Sequence, residues 1–260
     1  MYKRLQLVVL LCIALSAIVC SCATKDDTTE KKDSRTITIE GVVRNGHLKM
    51  LYLQRLDVDT LGTPFRNYES VSNSPLEGGE FLLKYKPQAD GPAFYRIGDG
   101  KGNFFITVAS PGDKLTFEFP VGDTLCLNYK VKGNQEAVLM CELDHHFTQF
   151  IDSVDYLNLL YQLSTDDEST HAVIDNAYSQ IKSHHTNYLR NFIQKHSNSL
   201  TAITAFYQKY QNATFFDEQR DIEILENISK NISQKFPNSV YSRWLHKRIE
   251  TVRPLTDENK

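Results

Sequence analysis

The stretch NFFITVASPGDKLTFEF, residues 103–119, contains two short runs of alternating side chains on either side of Pro111 and Gly112. In the second run, apolar side chains recur at every other position: Leu115, Phe117 and Phe119. Thr116 and Glu118 fall on the opposite face, which is the period of a strand with one side buried and one side in water. Proline followed by glycine is typical of a turn. We therefore predict two strands here, each with one face against a core.

Similar runs surround this stretch within residues 36–133: TITIEGVV, HLKMLYLQRL, GGEFLLKYK, AFYRI and LCLNYKVKG. Clusters of glycine, proline and asparagine separate them, and about seven or eight strands in about 100 residues favour an antiparallel β-sandwich or a small barrel. The pair Asn45-Gly46 is a strong hairpin signal and predicts a hairpin between the runs on either side. GDGKGN, residues 98–103, lacks the residue order of a phosphate-binding loop and is predicted as a hairpin turn.

From residue 134 to residue 253 the apolar residues recur at steps of three and four, which predicts helices. The first helix, of roughly 30 residues, carries one stripe: Leu139, Leu143, Phe147, Phe150, Val154, Leu157 and Tyr161. The second carries another: Val173, Ala177, Ile181, His184, Tyr188 and Phe192. Three shorter helices follow, one capped by Asp217 and the last beginning after Pro237. The predicted fold class is α+β, an N-terminal antiparallel β-domain followed by an all-helical C-terminal bundle.

The order ITIEG, NGHLKMLYLQ, GGEFLLKY, FYRIGD, FFITVASPGDKLTFEF and YKVKGN resembles a β-domain of unknown function found at the front of many cell-envelope lipoproteins. In that family, a helical segment and a thioredoxin-type thiol-disulfide oxidoreductase domain commonly follow. The resemblance covers residues 36–133 and, more loosely, the helices. Thioredoxin chemistry needs a Cys-x-x-Cys pair, and this sequence contains none. The resemblance therefore implies the accessory front half of such a protein without the oxidoreductase activity.

The N-terminus has the layout of a signal peptide. Lys3 and Arg4 form a positive head, and residues 7–19 are an uncharged apolar run of 13 residues. A helix that crosses a bilayer needs about 20 apolar residues, so export is favoured over a retained membrane anchor.

The candidate cleavage site, Val19-Cys20-Ser21-Cys22, resembles a bacterial lipobox. The resemblance implies diacylglycerol on the thiol of Cys22, cleavage before Cys22, and therefore residues 1–21 as the signal peptide. The protein would then contact the membrane through this lipid. A plain secreted protein with a free Cys22 is the alternative, and Cys20 fits the lipobox less well because Val19 would precede the cut.

Residues 22–35 are predicted to form a lipidated, solvated tether, since they are polar and cannot bury a core. Lys25, Asp26 and Asp27 resemble the export signal that sends some Gram-negative lipoproteins to the outer leaflet of the outer membrane; a plain soluble linker is the alternative. The predicted location is the outer membrane, on the periplasmic side or at the cell surface. At the other end, residues 254–260 are predicted to be a disordered tail.

The charge of the chain argues against nucleic acid as a partner. The formal net charge is −3, and removal of residues 1–21 takes away two basic residues and no acidic one, so that it becomes −5. Nucleic-acid binding normally requires a basic face or stripe, and the sequence has no such cluster.

The chain has five cysteines, and after cleavage before Cys22 two remain besides Cys22. Cys126 lies on a predicted strand and Cys141 on the first helix, off its apolar stripe. An exported protein can form a disulfide, and bridging these two would stabilise the fold by about 3 kcal/mol in the chain-entropy model. Two free thiols are the default, because spacing alone gives no distance.

Two histidine pairs, His145-His146 and His184-His185, lie on helices that could pack together. Adjacent helical residues point about 100° apart, so only one of each pair could readily face a shared ion. No residue spacing typical of a metal site accompanies them, and we predict neither a metal site nor a cofactor site.

The sequence contains no recognisable catalytic motif, and the leading prediction is a non-catalytic, lipid-anchored envelope protein. Its β-domain and helices would present a binding or accessory surface to a protein, peptide or glycan partner. The alternative is a thiol-redox accessory protein that acts through Cys126 and Cys141.

Overall fold

A computed structural model describes residues 34–44, 48–58, 67–120, 128–164 and 168–257 of the chain. The N-terminal part consists of these strands: β1 (Ile37–Val42), β2 (Met50–Asp57), β3 (Asn67–Pro75), β4 (Glu80–Tyr85), β5 (Ala93–Gly98), β6 (Phe104–Ala109), β7 (Lys114–Glu118) and β8 (Lys130–Lys132). The C-terminal part contains these helices: α1 (Gln135–Leu163), α2 (Glu168–His196), α3 (Thr201–Phe206), α4 (Ile222–Lys235) and α5 (Val240–Asp257). The α+β fold class is confirmed.

The N-terminal strands form two four-stranded sheets. One has the order β4-β1-β7-β8 and the other the order β3-β2-β5-β6. The sequence predicted a β-sandwich or a small barrel, and the described strands do not form a closed barrel. All pairs in these sheets are antiparallel except β1 and β7, which run parallel. Phe105 of β6 packs on Phe117 of β7 with ring centroids 5.1 Å apart, so the two sheets enclose a common core.

The stretch at residues 103–119 carries the chain from one sheet to the other. β6 pairs with β5, whereas β7 pairs with β1 and β8. The crossing turn is closed by the Ser110 amide, which donates to the Asp113 carboxylate over 2.7 Å. The predicted buried face of β7 is confirmed, because Leu115 and Phe117 are fully buried.

Asn45 and Gly46 lie outside the described residues, but the strands on either side do not pair with each other as the predicted hairpin requires. β1 pairs with β4 and β7, and β2 pairs with β3 and β5, so the strands on either side of that pair belong to different sheets. Both edges of β1 are occupied by strands that come later in the chain. A turn signal depends only on neighbouring residues. It therefore cannot predict which distant strands pair with β1.

The sequence patterns missed β3. This strand is mostly exposed and forms the edge of the second sheet beside β2, with a register shift between Leu53 and Gln54. A polar edge strand has no alternation of large apolar residues, and that alternation is the signal by which a strand is recognised.

The C-terminal part is not purely helical. Two short strands, β9 (Lys209–Tyr210) and β10 (Ala213–Thr214), pair as a hairpin after α3, with Gln211 in the left-handed region at φ 53°. Asp217 accepts hydrogen bonds in a turn, and α4 begins only at Ile222. The helix α5 runs through Asp257, into the stretch that the sequence assigns to the tail at residues 254–260.

The junction between strands and helices is held by Gly133 and Asn134. Gly133 has φ 141°, and a Cβ there would lie 2.5 Å from a side-chain carbon of Leu115, so the chain can turn here only without a side chain. Asn134 caps α1 by accepting from the Ala137 amide over 2.7 Å, and its own amide group donates to the Val108 carbonyl over 3.1 Å. The start of α1 is thereby fixed on the sheets.

The strands and helices share one core. Residues 34–260 form one compact unit, although the sequence divides them into domains at residues 36–133 and 134–253. The connection runs through the ring of Tyr129, which lies 4.8 Å from that of Phe105 and 6.3 Å from that of His145 on α1. The first half of α1 therefore packs against the sheets as well as against α2.

Candidate functional site

Several residues singled out from the sequence lie outside the described residues: Cys22, Lys25, Asp26, Asp27 and Cys126. The lipid anchor, the export signal and a disulfide between Cys126 and Cys141 therefore stay predictions. Cys141 and the two histidine pairs lie on α1 and α2, where their surroundings can be described.

Cys141 is buried, with 8% of its surface exposed, and its sulfur is bonded to no other cysteine of the described residues. Cys141 lies off the apolar stripe of α1 and is nevertheless buried, because the first half of α1 touches the sheets on a second side, which also buries Met140 and Asp144. A stripe defined by one helix face does not reveal a second contact surface.

The hydrogen bonds of Cys141 do not activate it as a nucleophile. Its Sγ donates to the Tyr129 carbonyl over 3.1 Å, and Nε2 of His145 lies 2.7 Å from the same oxygen. Because a carbonyl only accepts, that Nε2 carries a proton and cannot take one from the thiol, which lies 3.6 Å away. Burial, with a smaller effect of Asp144, raises the pKa of Cys141 to about 11. Reactive cysteines need a lowered pKa.

Asp144 is a buried carboxyl group beside this thiol. The hydroxyl of Tyr129 donates to its Oδ2 over 2.7 Å. Burial raises the pKa of Asp144 to about 7, and the hydrogen bond from Tyr129 opposes that rise only in part. The same burial holds the pKa of Tyr129 well above its usual value. The pair is a structural contact between the end of the sheet and α1.

We expect the thiol of Cys141 to resist labelling in the folded protein. At pH 8 the native chain should react with a disulfide reagent at this position at least about a hundredfold more slowly than the urea-unfolded chain, because the thiol is protonated and buried. Peptide mapping of the labelled protein measures the rate at Cys141 separately from the other cysteines. Equal rates in the native and unfolded states would contradict this description and would favour the thiol-redox alternative.

His146 of α1 and His185 of α2 form a second polar contact. Their Nδ1 atoms lie 3.0 Å apart, and Nε2 of His185 lies 2.7 Å from Oε1 of Gln208. An amide oxygen only accepts, so His185 donates from Nε2 and its Nδ1 accepts from Nδ1 of His146. His146 also stacks on Tyr188, with ring centroids 3.4 Å apart. These bonds link α1 to α2, and they link α2 to Gln208, the residue directly before β9.

Both imidazoles of this pair favour the neutral state. Burial, together with His185 and His184, lowers the pKa of His146 to about 4, and burial also lowers the pKa of His185. His184 is exposed and Val173 is 69% exposed, so the inward stripe of α2 lies one residue beyond the predicted one. Among the described residues, no three histidine, cysteine, aspartate or glutamate side chains are arranged to bind a metal ion.

The turn at residues 98–103 is the predicted hairpin turn between β5 and β6. The Asp99 carboxylate accepts from the amides of Lys101, Gly102 and Asn103. Burial by itself raises the pKa of Asp99, but these three bonds and a fourth from the Asn103 side chain together outweigh it and lower the pKa. The amides that a phosphate would use are occupied by this side chain.

The distal half of α1 carries an exposed apolar surface that the sequence patterns did not single out. On its inward face Phe150 and Val154 are buried, and the ring of Phe150 lies 4.6 Å from that of His185 on α2, whereas Tyr161, the last residue of the predicted stripe, is 46% exposed. On the opposite side four large side chains are exposed, and we call them the outer stripe: Tyr156 (61% exposed), Leu159 (50%), Leu160 (36%) and Leu163 (72%). They recur at steps of three and four and so share one helix face. A search for a second apolar period on the same helix would have found them.

The outer stripe lies in a strongly acidic part of the chain. No lysine or arginine occurs between Lys132 and Lys182. Residues 151–180 contain six acidic residues: Asp152, Asp155, Asp166, Asp167, Glu168 and Asp175. Asp152 and Asp155, on the same helix as the outer stripe, are exposed and take part in none of the ion pairs found within the described ranges.

Comparison with known proteins adds no relative. No protein-family model matches the chain, and no curated protein is similar to it at a significant level. The resemblance to the β-domain of envelope lipoproteins therefore stays a prediction. In the part of the chain that the structure describes, no helix is long and apolar enough to cross a membrane.

Proposed function

We propose that this protein is a non-catalytic binding protein of the cell envelope, held at the membrane by lipid on Cys22, which contacts a partner protein through the outer stripe. The outer stripe is the observation that carries the proposal. Large aliphatic side chains on an otherwise packed helix cost free energy in water, and clustered exposure of this kind is typical of interaction sites. Three of the four side chains of the outer stripe are leucines, which offer no hydrogen bonds to sugar hydroxyls, so a protein partner is favoured over a glycan.

The state of the thiol supports binding over redox chemistry. The thiol-redox alternative requires Cys141 to reach another sulfur atom. Cys141 is buried, and its pKa is raised to about 11, so the thiolate fraction at neutral pH is very small. Thiolate is the species that attacks a disulfide.

The anchor and the tether suit a protein that must reach a partner from a membrane surface. Several acyl chains on one residue give a lasting attachment, since each buried methylene contributes about 0.8 kcal/mol. Residues 34 and 35 already belong to the folded unit, so a polar tether over residues 23–33 could extend to about 35 Å. The folded unit could then meet partners across part of the envelope.

Site-specific photo-crosslinking in cells that produce the full chain tests the proposal. A photo-crosslinking phenylalanine analogue in place of Leu159 should give one discrete product, and that product should be lost when Leu163→Ser is added. The same analogue in place of Lys247, an exposed residue of α5, is the matched control and should not give this product. Identical products at both positions, or none at Leu159, would overturn the proposed binding surface.

The same preparation tests the anchor. Mass spectrometry should find a mature chain that begins at Cys22 and carries diacylglycerol, and Cys22→Ala should leave the signal peptide uncleaved. A mature chain with an unmodified Cys22 would overturn the lipid anchor and leave the binding surface to be judged by the crosslinks.

A further inference from the structure

We infer that the segment that docks on the outer stripe is a cationic amphipathic helix of the partner protein. The inference rests on the proposed function and specifies the chemistry of the partner. Its basis is the combination of an exposed apolar stripe on α1 with a stretch of chain, residues 133–181, that contains acidic residues and no lysine or arginine.

The spacing of the outer stripe suits a helix as its counterpart. Tyr156, Leu159 and Leu163 lie at i, i+3 and i+7, and Leu160 lies beside them, so the stripe covers about two helical turns, or roughly 10 Å. Helices that pack lengthwise present side chains at this spacing to each other. The inward face of α1 already packs against α2. A partner can therefore bind the outer stripe without separating α1 from α2.

The charge around the stripe specifies the flanks of the partner helix. Asp152 precedes the stripe by one turn on the same face, and Asp155 lies at its edge. Within residues 151–180 no lysine or arginine offsets these carboxylates. A partner with leucine-like residues on one face and lysine or arginine beside it would bury the stripe and place its cations next to Asp152 and Asp155.

The same charge argues against two other occupants. A second copy of this chain docked by the same face would bring a second acidic helix, which has no lysine or arginine of its own, against the first. An anionic lipid surface would repel the acidic helix, since membrane-binding helices carry lysine and arginine on the polar face.

Binding of designed peptides to the full-length protein in phosphatidylcholine nanodiscs tests the inference. The first peptide has about five helical turns, with leucine on one face and lysine on the other. The second replaces every lysine with glutamate, and the third is a scrambled form of the first. Fluorescence anisotropy at about 0.05 M and about 0.5 M salt, with empty nanodiscs as a blank, gives the dissociation constants.

The lysine peptide should bind at least about tenfold more tightly than the other two. Leu159→Ser with Leu163→Ser should weaken that binding at least about tenfold, because the apolar contact is lost. Asp152→Asn with Asp155→Asn should weaken it about threefold and reduce its dependence on salt. Val240→Ser, at a 39% exposed aliphatic residue of α5, is the control and should change nothing.

Other outcomes would overturn the inference in distinct ways. Equal binding of the lysine and glutamate peptides would remove the cationic partner. Concentration-dependent dimerisation that Leu159→Ser with Leu163→Ser abolishes would assign the stripe to a second copy. Binding to phosphatidylglycerol vesicles through the stripe would assign it to lipid. A specific crosslink at Leu159 without binding of any peptide would sustain the proposed function and reject this partner chemistry.

Discussion

Replacing Phe105 with alanine is expected to lower the free energy of unfolding by about 3–5 kcal/mol and to leave unfolding a single transition. Phe105 is 1% exposed and lies between the two sheets and the start of the helical part. Its ring centroid is 5.1 Å from that of Phe117, 5.2 Å from that of Phe119 and 4.8 Å from that of Tyr129. Alanine would leave a cavity that three other rings border, and rigid neighbours collapse poorly into such a space.

The measurement is urea unfolding followed by two probes. Fluorescence of Trp244, the only tryptophan, reports on α5, and hydrogen exchange of the β6 amides reports on the sheets. Phe104→Ala is the matched control on the same strand, because Phe104 is 39% exposed, and it should cost less than about 1 kcal/mol. If the sheets of the Phe105→Ala variant unfolded while the Trp244 signal stayed native, the prediction would be wrong. The strands and the helices would then be separate cooperative units, as the two domains predicted from the sequence suggest.

The elements of this fold that the sequence predicts are those whose own residues carry the signal. Strand β7 alternates Leu115 and Phe117 with polar residues, and the first helix repeats apolar residues over its whole length. The helical region is predicted to start at residue 134, and α1 does begin at Gln135, directly after Asn134. Each of these features depends on neighbouring residues, so a single sequence is enough to find it.

What the sequence could not reveal depends on residues far apart in the chain. The partners of β1 are β4 and β7, and no local pattern distinguishes them from β2. The burial of Cys141 depends on strands more than ten residues before it, through the Tyr129 carbonyl. The exposure of the outer stripe likewise depends on tertiary structure. The spacing of apolar residues shows that a helix has an apolar face, but not whether another element covers that face.

Asp144→Asn is expected to stabilise the protein at pH 8 by up to about 4 kcal/mol and to have little effect near pH 4. Asp144 has a pKa of about 7 in the folded protein against 3.8 as its ordinary value. Between those values the unfolded chain releases its proton while the folded chain keeps it, so rising pH destabilises the wild type. Asparagine has no charge to bury, and its oxygen can still accept from the Tyr129 hydroxyl.

The histidine pair gives this pH profile an opposite slope that the variant should expose. The pKa of His146 is lowered to about 4 and that of His185 is also lowered, so the unfolded chain binds protons first as pH falls below 6.5. Their contribution to stability is complete above that pH and is lost as pH falls toward 4. In the wild type this loss coincides with the gain from protonating Asp144, and the two partly cancel. Without Asp144, stability should rise steadily from pH 4 to pH 7.

Urea unfolding at half-unit steps from pH 4 to pH 8 measures both slopes. Asp152→Asn, at an exposed carboxylate of the same helix, is the control and should run parallel to the wild type. If Asp144→Asn also ran parallel to the wild type, Asp144 would have to be ionised in the folded protein across the whole range. The carboxyl group would then have to reach water or a cation, and the packing of α1 against Tyr129 would differ from the one described.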